Sequence, residues 1–473
     1  MRKQIQLIIA GFSLAMAASS CKKDFLKVDL FQRIEAKNTA DYEQLINSKG
    51  FYNYPEDGGP QAAVILGLEM AAEQTYFAAN NTAETQHLFN WDDMVYQPDV
   101  EAKDLKYFLN NIYVCNKIIN EVADAEGGTP ALKSQLAAEA KATRAWVHFQ
   151  LNNLYAMPYQ AASANSDLAL PYITTADMAR PLYERVTVQQ AYDLMIADVT
   201  AAIPSLPLNQ TYNTRMTKAA AEALLGKLYV FMGKYTDALT HFNNAFAFLQ
   251  QMTKAARLYD YNTEQADGTS PNDFTESVLG KSFWAGQNPW DGIGSGGLVI
   301  TPATQALYGA SDLRLQYYTA DLDDWTPNPT GRLRRSLNTY VKFGMELPDL
   351  YLLRAECEAR LNSLPAAVAD VQALRTKRMP AADAAVPAAV AADQSALVRF
   401  IIDERTREFA AEGYCWADNR RLYGDPLFSN VNYVHYAYND DGTTTAITLR
   451  KQRLALRLPQ LYINMNPGMA NNP

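Results

Sequence analysis

Cysteine, histidine, glycine and proline are all scarce in this 473-residue chain, and each shortage excludes something. Four cysteines, at positions 21, 115, 357 and 415, cannot make a disulfide framework. Four histidines, His87, His148, His241 and His435, stand far apart with no ligand spacing among them, so no metal site is expected. Positive charge is in deficit: 42 Lys and Arg face 51 Asp and Glu, a net of −9 that argues against nucleic acid as a partner. No apolar run reaches the about 20 residues that a membrane-spanning helix needs. With only 23 Gly and 22 Pro against 48% hydrophobic residues, the chain reads as one large, well-packed body with disorder confined to its ends.

What is present starts with an export signal. Arg2 and Lys3 precede an apolar run of 14 residues, Ile5 to Ala18, and Ala18-Ser19-Ser20 lead into Cys21. That junction resembles the bacterial lipobox, in which the cysteine is acylated and becomes the first residue of the mature protein. The competing reading is a plain secretory signal with a cysteine nearby by chance. One acyl chain contributes about 0.8 kcal/mol per buried CH₂ and anchors only marginally, so several chains on Cys21 are what a stable tether requires. Residues 1–20 are thus expected to be a signal peptide, and 21–473 a single domain. Loss of Arg2 and Lys3 moves the net charge from −9 to −11. Cys115, Cys357 and Cys415 are expected to be buried thiols.

Helical periodicity dominates the rest. Tyr42, Leu45 and Ile46 share one face, and Leu105, Phe108, Leu109, Ile112, Cys115, Ile119 and Val122 keep a 3.6-residue period up to Gly127-Gly128-Thr129-Pro130. A helix is predicted from Ala131 to about Tyr155, stopped by Met157-Pro158, and another after Thr187, where Gln190 completes a capping box. From Thr217, the pattern Leu225-Gly226-x-x-Tyr229, Gly233, Tyr235, Ala238-x-x-x-Phe242, Ala245 is that of a tetratricopeptide repeat. Gly226 and Ala238 must be small where the paired helices cross, and Tyr229 and Phe242 fill the space beside them. The same twelve- and sixteen-residue offsets recur as Ala355, Ala367 and Val371, with Pro348 and Pro365 at the first turns. The helices at 131–155, 187–203 and 395–411 are candidate further units. The predicted fold is therefore mainly α, a tetratricopeptide scaffold over about 21–257 and 338–473. The alternation of Val434, Tyr436 and Tyr438, then Asp441-Gly442, then Ile447 and Leu449, adds a minor β-hairpin.

Between the repeats, about 258–337 is loop-rich and holds Trp284, Trp290 and Trp325. A stretch this long without a period is expected to be a binding insertion. Recognition of an uncharged sugar needs aromatic faces for C–H patches and planar amides or carboxylates for hydroxyls. Two windows combine them: Asn90-Trp91-Asp92-Asp93 through Tyr96, and Phe283-Trp284 with Gln287-Asn288-Pro289-Trp290-Asp291. The candidate ligand residues are Asn90, Trp91, Asp92, Trp284, Gln287, Asn288, Trp290 and Trp325, each Trp having the alternative role of a lid over the scaffold. Gly292 to Gly297 lacks the Lys-Ser/Thr of a phosphate loop, and Asp321-Leu-Asp323-Asp324 lacks the Gly and distal Glu of a calcium loop. No catalytic residue, metal or cofactor is assigned.

Several segments share a family pattern. Glu139-Ala-Lys-Ala-Thr-Arg-Ala-Trp146-Val-His-Phe149, Leu352-Leu-Arg-Ala-Glu356 with Ala373-Leu-Arg-Thr376, and above all Ile402-Asp-Glu-Arg-Thr-Arg-Glu-Phe409-Ala-Ala-Glu-Gly413 followed by Trp416-x-Asp418-x-x-Arg421, resemble the SusD/RagB family. Pro302-Ala-Thr, Asp312-Leu-Arg314, Leu458-Pro459 and Asn466-Pro467-Gly468 follow in the family's order. Cys415, Asn419 and the non-acidic tail Gln460 to Asn464 depart from it. The resemblance implies a non-enzymatic outer-membrane lipoprotein, held by Cys21 and facing the cell exterior. It would bind a glycan or other nutrient and cap a SusC-like TonB-dependent barrel. It also supports placing the ligand in the N-terminal loops and the insertion. The alternative is a repeat scaffold for proteins or peptides with no small-ligand site. Trp146 and Trp416 are expected in the core, and Glu404, Arg405, Arg407, Glu408, Glu412, Asp418 and Arg421 in an internal charge network.

Overall fold

Capping chemistry sets the helix boundaries in the structure, a computed structural model that describes residues 36–54, 59–177, 182–266, 270–284, 296–322, 326–336 and 340–473. Helix α1 (Thr39–Ile46) opens on a reciprocal pair, Asn38 accepting from the Asp41 amide and Asp41 from the Asn38 amide. Helices α2 (Lys103–Glu121) and α3 (Pro130–Tyr155) pack antiparallel. Thr129 caps α3 by accepting from the Leu132 amide at 3.1 Å, and Pro130 takes the first position, where its missing N–H costs nothing. Before α4 (Val188–Ala202) the expected box forms, the Gln190 amide donating to Thr187 Oγ1 at 3.1 Å and the Thr187 amide to Gln190 Oε1 at 2.9 Å.

The first repeat is α5 (Lys218–Phe231) paired with α6 (Tyr235–Gln251). A Cβ on Gly226 would lie 2.8 Å from the Phe242 ring, and Ala238 and Phe242 are fully buried, so the crossing is as close as the pattern requires. The second repeat is α7 (Leu347–Arg360) with α8 (Leu364–Arg375), its Ala355, Ala367 and Val371 in one apolar cluster and its prolines in the first turns. Helix α9 (Gln394–Phe409) packs on α7, and α10 (Tyr414–Leu422) follows after Gly413, whose φ of +86° a side chain would strain. Trp146 and Trp416 are fully buried, and Cys115, Cys357 and Cys415 are buried free thiols, as expected.

Strands are short and gather in four small sheets. In chain order they are β1 (Asn53–Tyr54), β2 (Met70–Glu73), β3 (Ser277–Leu279), β4 (Ser282–Trp284), β5 (Leu298–Ile300), β6 (Tyr318–Thr319), β7 (Arg334–Arg335), β8 (Tyr340–Lys342), β9 (Met345–Glu346), β10 (Val434–Tyr438) and β11 (Thr444–Thr448). The hairpin β10–β11 forms as the alternation predicts, but it does not stand alone. β10 also runs parallel to β2, and β2 antiparallel to β5, giving the order β11-β10-β2-β5. This sheet joins the N-terminal loops, the insertion and the C-terminal hairpin in one surface. Among the described residues no helix is long and apolar enough to cross a membrane.

Candidate functional site

The outer face of that sheet carries aromatic and polar groups together. Alternation along β10 sends His435 and Ala437 inward, both buried, and Tyr436 and Tyr438 outward. Tyr436 is 37% exposed. The Arg332 guanidinium lies 3.4 Å from the centroid of the Tyr438 ring and pairs with Glu73 at 3.1 Å. Glu73 Oε1 also accepts from the Asn328 amide at 2.9 Å and the Thr330 hydroxyl at 2.7 Å. Asn328 is held in turn by Thr330, whose backbone amide donates to Asn328 Oδ1 at 3.1 Å. β2 therefore positions the carboxylate, the insertion the amide, hydroxyl and guanidinium, and β10 the rings. Burial raises the Tyr438 phenol, partly opposed by Arg332, so its hydroxyl stays neutral.

Directly beneath lies Trp91, one of the residues singled out from the sequence. It is 2% exposed, and its ring stacks on His435 with centroids 3.7 Å apart. Phe89 stacks on the same imidazole at 4.6 Å. Trp91 has φ +50°, a left-handed conformation that costs of order 1 kcal/mol in a non-glycine residue, and its buried indole N–H has no partner. The His435 nitrogens lie 2.7 and 2.8 Å from the carbonyls of Phe89 and Gly67, while burial pushes the imidazole down to about 4. Asn90 is exposed at the end of its helix, and Asp92, half-buried, bonds His87 at 2.7 Å.

Trp284 stands on another sheet, half-buried on β4 directly across from Tyr340 of β8. Gln287, Asn288, Trp290 and Trp325, like Cys21, lie outside the described residues. The structure thus brings the Trp91 window and the insertion to two sides of one sheet and leaves Trp284 apart. Glu73, Asn328, Thr330 and Arg332 carried no sequence signal, since Arg332 and Glu73 are 259 positions apart. Tyr436 and Tyr438 were visible only as strand residues. Among the described residues, no three His, Cys, Asp or Glu side chains cluster as a metal site would need.

Behind the site, the family-like motif forms a buried ion lattice. Glu404 pairs with Arg314 at 2.8 Å, Arg375 at 2.6 Å and Arg407 at 2.7 Å, and Glu408 with Arg314 at 2.9 Å and Arg378 at 2.7 Å. Arg405 bridges Asp349 and Asp418 at 2.8 and 2.7 Å, Arg421 joins Asp418 to Glu356 at 2.7 and 2.6 Å, and Glu412 pairs with Arg335. The network ties helices and strands together, Arg407 alone pairing only within its own helix, with Glu404, while donating to the Leu307 carbonyl at 2.8 Å.

Two family models match this chain. One, described as "Starch-binding associating with outer membrane", covers residues 24–230, and the SusD family model covers 328–473. The chain belongs to the SusD/RagB family. Solved structures agree on the fold. A SusD superfamily protein from Bacteroides thetaiotaomicron is 16% identical, with 92% of this chain and 100% of that chain covered at a TM-score of 0.70. One from Bacteroides fragilis is 18% identical over 91% and 99%, also at 0.70. A SusD-like carbohydrate binding protein from Bacteroides vulgatus is 16% identical over 92% and 97%, at 0.66. No curated protein matches the chain.

Proposed function

We propose that this SusD-family chain binds carbohydrate at the cell surface without chemically altering it, using the Tyr436–Tyr438 face of the four-stranded sheet. The observation that carries the reading is the Arg332–Tyr438–Glu73 assembly beside an exposed tyrosine. Its charges are neutralised within the site, so a neutral sugar can take a hydrogen bond from Arg332, which spends only Nη1 on Glu73, without burying net charge, while Tyr436 offers a ring for its C–H face. The starch-binding family model that matches residues 24–230 and the similar SusD-like carbohydrate binding protein from Bacteroides vulgatus support it. In this reading Trp91 lends its partnerless N–H and strained backbone to a rearrangement on binding, Asn90 and Asp92 extend the surface, and Trp284, Gln287, Asn288, Trp290 and Trp325 of the insertion are further candidates for ligand contact. The bound glycan passes to a SusC-like TonB-dependent barrel, beside which acylated Cys21 keeps the protein at high effective concentration.

Titration calorimetry of the mature protein against a glycan panel tests this. Tyr436→Ala and Arg332→Ala are each expected to weaken the best ligand about tenfold, a loss of one stacking or charge-assisted contact. If no glycan binds, or these variants together with Trp91→Ala and Trp290→Ala change nothing, the protein-scaffold alternative replaces this one. For the tether, Cys21→Ser is expected to release the protein from membranes, and continued lipid labelling would refute acylation there.

A further inference from the structure

On the opposite side of the helical scaffold from the charge lattice, α2 and α3 do not close against the C-terminal segment. A cavity of about 360 Å³ remains, walled by Leu109 and Ile112 of α2, Leu151 of α3, Leu170 of the following loop, and Tyr462 and Met465 of α11 (Gln460–Met465). This is within the size range of small-ligand pockets. The one formal charge among its described lining residues is Asp177. The C-terminal segment is stapled over it by Asn466, which accepts from the Tyr183 amide at 2.8 Å and donates to the Tyr183 carbonyl at 2.6 Å.

One wall residue does not fit a purely structural account. His148 also lines the cavity and is 2% exposed, and its Nε2 has no hydrogen-bond partner. Its ring is held by Tyr172, stacked at 4.1 Å, whose hydroxyl donates to Asp198 at 2.6 Å. Arg144, pinned by the same Asp198 at 2.8 Å, disfavours a second positive charge nearby. Burial, aided by Arg144, pushes the imidazole down to about 3, so it is neutral at working pH. A buried polar atom left unpaired is destabilising, and a phenylalanine would fill the same volume without that cost.

We propose that this cavity binds a neutral, largely apolar molecule carrying one hydroxyl group, the hydroxyl meeting His148 Nε2 and the apolar body filling the space between α2, α3 and α11. A hydroxyl suits either tautomer, since it both donates and accepts. An anionic headgroup does not suit the cavity, because no Lys or Arg is among its described lining residues, and desolvation opposes entry of any charge. The site is separate from the sheet face proposed for carbohydrate.

The matched probes are 2-naphthol and naphthalene, competing with the neutral fluorophore N-phenyl-1-naphthylamine on the full mature protein. The fluorophore is expected to brighten on binding, and 2-naphthol to displace it several-fold to about tenfold better than naphthalene, the range of one hydrogen bond. His148→Phe should keep fluorophore binding but abolish the preference for 2-naphthol. Leu109→Trp, filling the cavity from a half-buried wall position, should abolish fluorophore binding while glycan titrations and circular dichroism stay unchanged. Absence of fluorophore binding in the wild type, binding undiminished in Leu109→Trp, or a naphthol preference that survives in His148→Phe would each overturn the proposal. Loss of glycan binding in Tyr436→Ala with fluorophore binding intact would confirm that the two sites are distinct.

Discussion

The two tetratricopeptide-like repeats are joined to their neighbours by different means. At α5–α6 the crossing itself is apolar and depends on the absence of a side chain at Gly226, with one polar contact beside it, His241 to Glu222 at 2.7 Å. Around α7, α9 and α10 it is ionic, with Glu404, Glu356 and Asp349 enclosed among arginines and Lys227. The same helix-pair geometry therefore tolerates two kinds of cement. The apolar crossing punishes added volume, whereas the ionic joint punishes loss of any one partner. A third case sits between them: Glu346, fully buried, has Ser277 at 2.7 and 2.9 Å and no ion-pair partner, and burial pushes it up to about 8.

The largest expected effect comes from breaking the ionic joint. Glu404→Leu leaves Arg314, Arg375 and Arg407 without their shared carboxylate and should cost about 3–5 kcal/mol, measured by chemical denaturation, or prevent soluble expression. An effect of only a few tenths of a kcal/mol would remove the lattice from the account of stability. Next, Gly226→Leu should cost about 1–3 kcal/mol through overpacking against Phe242. Adding Phe242→Leu should recover part of that loss, and no recovery would mean that the close approach is not the cause.

A smaller effect separates the carboxylates by pH. Glu404 and Glu356 are buried, but surrounding arginines outweigh burial and hold them down at about 2. Their contribution is present above the ordinary value of 4.5 and is lost as pH falls toward 2. Glu346 has the opposite sign. Its folded state holds the proton more tightly, so its contribution is complete below pH 4.5 and declines as pH rises to about 8. Melting temperature should therefore slope downward between pH 5 and 8, and Glu346→Gln should flatten that slope. An unchanged slope in the variant would assign it to other groups.

Legibility in the sequence followed distance along the chain. The Thr187–Gln190 box, the Pro130 start and the Gly226–Phe242 contact join residues within about one helix pair, so spacing alone exposed them. The charge network was legible as a set, because its members recur in one motif, but not as pairs. Arg314 and Arg375 reach Glu404 from other elements. The Arg332–Tyr438–Glu73 assembly was not legible, since its members meet only when β2 and β10 pair.

By itself the sequence determined that this protein is mainly helical, carries paired repeats, and looks like an exported lipoprotein. Those properties rest on local periodicity, capping and composition, which need no partner far along the chain. Only the tertiary structure decided that Trp91 lies under a sheet, that Tyr436 and Tyr438 face outward beside Arg332, and that His148 borders an apolar cavity. The physical reason is common to all three: burial and stacking are decided by what the chain brings alongside, and strand pairing over hundreds of residues leaves no mark in the spacing of either strand.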